Sequence, residues 1–307
     1  MGEIDRTERM IDPALDRLIS KIRDVKGLDF SQYKEKSLSR RINTRLTKHG
    51  VESYDRYMEI LDKNPEEYEA LVNAITINVT DFFRNPEMFD ALEKIVIPRV
   101  IYSKKEHHHR IIKAWSCACS TGDEPYSLAI ILKEKLGRAS ERFILNIVGT
   151  DIDKNALEEA KNMIYSKERL EAVNSRLIDE YFEDCGNSRF KLKHSIGSLV
   201  SFRRLDVIND LPITHCDIIL CRNLFIYFSK ELQEKILLKF YDSLSPGGFL
   251  ILGMVESLVG EAVNYFEVID NRLRIYRRPE KKSMQCGDSG ILSQNEIDKI
   301  VNQMLGG

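Results

Sequence analysis

No apolar run in this chain of 307 residues approaches the roughly 18 residues of a spanning helix, so membrane insertion is not expected. The opening stretch MGEIDRTER is too polar for a secretory signal, and a cytoplasmic location follows as the expectation. Cysteine pairs are missing too. The six cysteines stand at 117, 119, 185, 216, 221 and 286 without a CxxC spacing, and Cys117 and Cys119 read as small packing residues rather than metal ligands. His107, His108 and His109 read as a solvated loop run, so no metal is expected. A dominant charge is absent as well: 46 basic against 48 acidic residues leave a net charge of −2, which gives no global pull toward nucleic acid or membrane. Recognition of a charged partner must therefore be local. What is present, 43% apolar and 31% charged residues, suits a globular chain able to bury a sizeable core in one or two domains.

Over residues 1–76 apolar side chains recur at helical spacing with almost no strand-like alternation, which predicts a small all-α domain. Gly50 reads as a helix stop, Ser53 as a cap and Pro65 as a first-turn residue. One helix is lopsided: Lys34, Lys36, Arg40, Arg41, Arg45 and Lys48 stand against the single acid Glu35, with positions 34, 41, 45 and 48 near one face. That face is either simply solvated or docks an acidic surface.

Over residues 77–279 short β-rich runs (111–115, 145–149, 200–204, 217–220, 249–253 and 272–277) alternate with helical segments. This predicts an α/β, doubly wound, mostly parallel sheet. Residues 162–199 are too long for a plain crossover and contain the β-prone RFKLKH, so a small inserted β subdomain is expected there. Residues 280–307 read as a polar linker and a C-terminal amphipathic helix.

The first strand, the small-residue turn after it and the following helix outline a nucleotide-type pocket, but the turn SCACSTG holds one glycine where a GxGxxG cradle would hold three. Glu124 at the helix start would repel phosphate. Acids there suit a cofactor with a free amino group and sugar hydroxyls, and S-adenosylmethionine is such a cofactor. Asp151, ending the second strand, is suited to accept both ribose hydroxyls, although a helix cap at Asp151 or Asp153 is compatible with the same pattern. Asp206 and Asn223, after the next two strands, share that sheet edge and could read adenine.

The stretches Asn78-Val-Thr-Asp-Phe-Phe-Arg84, Trp115-Ser-Cys-Ala-Cys-Ser-Thr-Gly-Asp-Glu-Pro-Tyr-Ser127, Gly149-Thr-Asp-Ile-Asp153, Cys221-Arg-Asn-Leu-Phe-Ile-Tyr-Phe228 and Ser245-Pro-Gly-Gly248 together resemble the CheR chemotaxis receptor methyltransferases over roughly residues 10–278. The resemblance implies S-adenosylmethionine-dependent O-methylation of glutamate side chains on methyl-accepting chemotaxis receptors, with S-adenosylhomocysteine as product. It implies cofactor contacts from Asn78, Thr80, Arg84, Glu124, Asp151, Asn223 and Leu224, to which Asp206 is added by position. It also implies that the helical domain and the β subdomain face the receptor. A glutamate, with a reference pKa of about 4.3, is already ionised and needs no general base. Arg84 is expected to hold a carboxylate in fixed geometry, or else to form a structural salt bridge. Tyr227 is expected as a second wall of the methyl-transfer pocket, or else as a core aromatic. The alternative function is a receptor-bound scaffold that holds the cofactor with little turnover.

Two stretches depart from the family pattern. The loop after Tyr181 and Phe182 is short, which favours direct approach to receptor helices over docking on a C-terminal pentapeptide. The tail from Gly290 to Gly307 carries a capping box, Ser293 to Glu296, and resembles the N-terminal peptide of the flagellar switch protein FliM. This implies a CheY-type response regulator as a partner, unless the helix folds back on its own domain.

Overall fold

A computed structural model describes residues 12–76, 80–137 and 142–280. The expected tail helix and Asn78 therefore lie outside the described residues. The chain divides into two compact units, one of Met1–Ile77 with Tyr227–Leu232, the other of Asn78–Ile226 with Gln233–Gly307.

The first unit holds α1 (Pro13–Lys26), α2 (Glu35–Lys48), α3 (Tyr54–Lys63) and α4 (Pro65–Thr76). Local signals set their ends: Asp12 accepts from the Ala14 amide at 2.9 Å, Ser53 accepts from the Arg56 amide at 3.3 Å, and Gly27 closes α1 with φ of 67°. Leu15, Leu18, Ile19 and Ile22 form the buried stripe of α1, and Leu38, Ile42 and Leu46 that of α2.

The basic face of α2 is not the uniform docking face its composition allowed. Arg41 is buried, donates to the Ile75 carbonyl and lays its guanidinium 4.0 Å from the centroid of the Tyr227 ring. Arg45 makes two hydrogen bonds, 2.9 and 2.5 Å, to the buried Glu67. Both flank the apolar stripe at positions 38, 42 and 46, so their long stems are drawn inward and a buried acid supplies the counter-charge. Lys34, Lys36, Arg40 and Lys48 remain exposed.

The second unit carries β1 (Ile111–Cys117), β2 (Ile144–Asp151), β3 (Ile164–Ser166), β4 (Phe182–Asp184), β5 (Arg189–Leu192), β6 (Val200–Arg204), β7 (Cys216–Cys221), β8 (Leu244–Leu252), β9 (Glu267–Asp270) and β10 (Ile275–Arg277). Its helices include α5 (Pro86–Ala91), α6 (Ile97–Glu106), α7 (Asp123–Leu136) and α8 (Lys154–Asn162). The main sheet runs β6-β2-β1-β7-β8-β10-β9, parallel except for β10, which is antiparallel to both neighbours. Ile112, Ala114, Ile218, Leu220, Phe249 and Ile251 are buried at its centre, the near-continuous apolar pattern of strands covered on both faces. The order reverses at β1, between β2 on one side and β7 on the other, so a crevice opens at their carboxyl ends.

β3, β5 and β4 form a separate antiparallel sheet, inserted between α8 and β6. This sheet and the 3-10 turn Lys167–Leu170 after β3 grip the loop that precedes α5: the Phe82 ring meets Tyr165 at 4.8 Å and Phe182 at 5.2 Å, and the Phe82 amide donates to the Arg169 carbonyl.

Candidate active site

The turn from β1 into α7 is built on alternate left-handed residues, Ala118, Ser120 and Gly122, with φ of 57°, 49° and 88°. For Ala118 and Ser120 this conformation costs about 1–2 kcal/mol each, so the surroundings must enforce it. They do so through the backbone: the Cys119 amide donates to the Thr150 carbonyl at 2.9 Å, the Ser120 amide to Asp151 Oδ2 at 2.8 Å, and the Gly122 amide to the Cys119 carbonyl at 3.0 Å. A Cβ on Gly122 would meet Ala160 at 2.9 Å and the Phe202 ring at 3.0 Å, so only glycine brings the start of α7 this close to α8 and β6.

Asp151 ends β2 and is 7% exposed. Its Oδ1 accepts from the Asp153 amide at 2.9 Å. Burial pushes its carboxyl up to about 6, against the pull of the Asp153 and Ser120 amides toward the ionised form. The cap of α8 is Asp153, which accepts from the Asn155 and Ala156 amides. Asp151 therefore does not cap that helix, and with about four lone-pair sites its carboxylate can accept beyond the Ser120, Ile152 and Asp153 amides. Beside it the Ser120 hydroxyl is buried with no partner among the described residues.

Glu124 stands in the first turn of α7, its Oε1 accepting from Ser116 Oγ at 2.7 Å and its Oε2 from Arg222 at 3.1 Å. The same Arg222 guanidinium donates to the Arg84 carbonyl at 2.8 Å and to Asn85 Oδ1. The loop it holds is itself unusual, with Phe83 at φ of 52° and Asn85 at 63°, and the Phe83 amide is tied to Ser127 Oγ at 2.9 Å. Arg84 and Thr80 are half-buried in this loop.

Past β7, Asn223 adopts a left-handed φ of 61° and Leu224 is half-buried. Their conformation is set by Glu256, a buried carboxylate that accepts from the amides of Asn223 (3.1 Å), Phe225 (2.8 Å) and Gly253 (2.6 Å). Burial pushes the Glu256 carboxyl up.

Thus Arg84, Glu124, Asp151, Asn223 and Leu224 share the carboxyl edge of β2, β1 and β7 and their adjoining loops. Asp206 behaves differently. Its two carboxylate oxygens accept from the Ile208 amide and the Asn209 side chain, each at 2.8 Å, so it holds its own loop together. Tyr227 belongs to the helical unit, where its carbonyl accepts from the Lys34 amide at 2.7 Å and Arg41 covers its ring. Arg222 and Glu256 were not singled out by sequence reasoning. Arg222 had only its place beside Asn223 to mark it, and Glu256 had no signal.

The arrangement discriminates between cofactors. Three turn amides that could cradle a pyrophosphate are already bonded within the protein, and the carboxylates of Glu124 and Asp151 border the turn. A pyrophosphate finds repulsion here. A ligand bearing an ammonium group and hydroxyls finds two carboxylates and the unpartnered Ser120 hydroxyl, so the residues present fit S-adenosylmethionine. Among the described residues no group of His, Cys, Asp and Glu could hold a metal ion.

Comparison with known proteins gives the same answer. Residues 13–76 match the CheR methyltransferase all-alpha domain, and residues 78–275 match the CheR methyltransferase SAM binding domain. A chemotaxis protein methyltransferase of Listeria innocua is 34% identical over 236 residues, covering 77% of this chain and 87% of that protein. One from Salmonella typhimurium is 31% identical over 239 residues, covering 75% and 79%, and one from Borreliella burgdorferi is 28% identical over 250 residues, covering 80% and 88%. With an all-α domain ahead of a seven-stranded sheet whose carboxyl edge suits S-adenosylmethionine, the chain belongs to the CheR methyltransferase family.

Proposed function

We propose that the protein methylates glutamate side chains of methyl-accepting chemotaxis receptors, giving glutamyl methyl esters. The observation that carries this reading is that the carboxylates of Glu124 and Asp151 border a turn whose amides are already bonded, beside a loop that carries Arg84. The names of the related chemotaxis methyltransferases support the receptor as substrate.

In this reading Asp151 accepts ribose hydroxyls, Glu124 faces the cofactor's amino group, and Asn223, Leu224 and Thr80 complete its enclosure. When bound, S-adenosylmethionine supplies a methyl group on a sulfonium sulfur and leaves as S-adenosylhomocysteine. Arg84 holds a carboxylate, that of the incoming glutamate or of the cofactor, through a planar fork that lysine lacks. The protein supplies no general base, because a glutamate with a pKa of about 4.3 arrives ionised. Burial holds the Cys119 and Cys221 thiols well above their ordinary range, so neither competes as a nucleophile. The protein's contribution is alignment and the exclusion of water from two charged partners.

The test uses the purified protein, cofactor labelled in the methyl group and receptor-containing membranes. Base-labile label in the receptor band is expected. Its absence, with S-adenosylhomocysteine binding intact by calorimetry, would replace this reading with a cofactor-holding scaffold.

A further inference from the structure

We propose that Arg222 is a positioning residue that couples the two halves of this site, fixing the cofactor-facing Glu124 and the Arg84 loop with one guanidinium. The proposal rests on the roles given above to Glu124 and Arg84. Arg222 follows the last residue of β7, where Cys221 pairs with Cys117 of β1 and with Leu252 of β8, so its backbone is anchored in the middle of the sheet. Its side chain is only 3% exposed. Nη1 donates to Glu124, while Nη2 donates to the Arg84 carbonyl and to Asn85 Oδ1, and the Phe89 ring centroid lies 5.9 Å from the guanidinium carbon.

Each contact answers a specific need. The Glu124 side chain is 12% exposed, and a carboxylate so enclosed requires a partner charge. The loop carries two left-handed residues, Phe83 and Asn85, and strain of that kind persists only where neighbours over-determine it. Ser127 holds the loop at the Phe83 amide, and Arg222 holds it at the next two residues. The direction of the Arg84 side chain is thereby linked to the group that neutralises Glu124. A lysine at this position would provide the charge but not the planar fork that reaches both elements.

The two contacts separate experimentally, in the full chain, by comparing Arg222→Lys with Arg222→Gln. Three quantities are measured: S-adenosylhomocysteine affinity by calorimetry, kcat for methyl transfer to receptor membranes, and the melting temperature. Arg222→Lys is expected to keep affinity within about threefold while kcat falls about tenfold or more, because the charge survives and the fork does not. Arg222→Gln is expected to lose about tenfold or more in both. A structural role alone would instead lower both quantities in step with melting temperature in each variant, and that result overturns the proposal, as does a wild-type kcat in Arg222→Lys.

Glu124→Gln and Arg84→Ala are run alongside. If the first leaves affinity and the second leaves kcat unchanged, the reading of the site fails and takes the proposal with it. If both are impaired while Arg222→Lys is normal, the coupling alone is wrong. Should neither Arg222 variant fold, Asn85→Gly removes one acceptor while tolerating the left-handed backbone. A kcat lowered about threefold with affinity kept supports the clamp, and an unchanged kcat overturns it.

Discussion

Glu67 in the helical unit and Asp151 at the sheet edge are both buried carboxylates, at 4% and 7% exposure, yet they are opposite in character. Burial alone would push Glu67 up, but hydrogen bonds from Arg45 and from the Tyr57 hydroxyl at 2.5 Å, with His49 Nε2 lying 2.9 Å away, outweigh it and hold the carboxyl down at about 2. Asp151 is held by the backbone amides of Ser120, Ile152 and Asp153 and, among the described residues, by no cation, so burial wins and its carboxyl rises to about 6. A carboxylate surrounded by its own donors is part of the scaffold. One held only by backbone amides, beside a serine hydroxyl with no partner among the described residues, is prepared for a ligand that brings further donors.

The largest expected effect breaks the scaffold side of that contrast. Glu67→Ala removes the acceptor of Arg45 and Tyr57 at once and should cost about 3–5 kcal/mol of stability, read by denaturant unfolding. The same logic applies to Arg45→Glu, and Arg41→Glu would place an acid against the Ile75 carbonyl that Arg41 now satisfies. Charge reversal at those two positions therefore tests folding and not receptor docking. In stability the pH signs differ: Asp151, raised to about 6, contributes stability that is present below the ordinary carboxylate range and is lost as pH rises through about 6. Glu67, depressed to about 2, contributes stability that is present above the ordinary carboxylate range and is lost as pH falls toward 2.

Next in size is Asp151→Asn, which should weaken S-adenosylhomocysteine binding by about 1.5–3 kcal/mol, the range for hydrogen bonds to a charged group, while unfolding stays cooperative. Because the folded pKa of Asp151 is raised to about 6 and ribose hydroxyls donate to the ionised form, wild-type affinity should be level above that pH and fall as pH drops through it. Calorimetry between pH 5 and pH 8 checks this. A variant with the wild-type slope would remove Asp151 from the ribose site. Arg84→Ala should follow, with methyl transfer down by about tenfold or more, some 1.4 kcal/mol in transition-state terms, and the melting temperature unchanged. An unaltered rate would end its positioning role.

Much of this contrast could be read from sequence on one side and little on the other. Asp151 was visible because a strand ends on it, and Glu124 because it opens a helix after a small-residue turn; both signals are local. Ser53 and Pro65 marked helix starts for the same reason. Nothing local distinguishes Glu67 from Glu66 beside it in the first turn of α4, and its value depends on Arg45, 22 residues away in the chain. Arg222 meets Glu124 across 98 residues and the Arg84 carbonyl across 138, distances at which periodicity carries no information. β9 escaped detection because it is an edge strand with exposed Glu267 and Val268, so neither face shows a burial pattern. The inward turn of Arg41 and Arg45 was illegible for a related reason: periodicity assigns a residue to a face, but not the partner that draws it inward.

The smallest expected effect sharpens the comparison from the surface. Lys36 and Arg40 lie on the exposed part of α2, outside the cluster that Arg45 makes with Glu67. Reversing them to glutamate should change stability by less than about 0.5 kcal/mol, the usual range for exposed positions. S-adenosylhomocysteine affinity should not move, since neither residue belongs to the unit that carries the cofactor carboxylates. If the face docks an acidic receptor surface, the KM for receptor membranes should rise, and more steeply at low salt, because exposed charges act through a screened field. A KM that ignores both the reversal and the salt would show that this face is only solvated, leaving α2 with the inward role that Arg41 and Arg45 already perform.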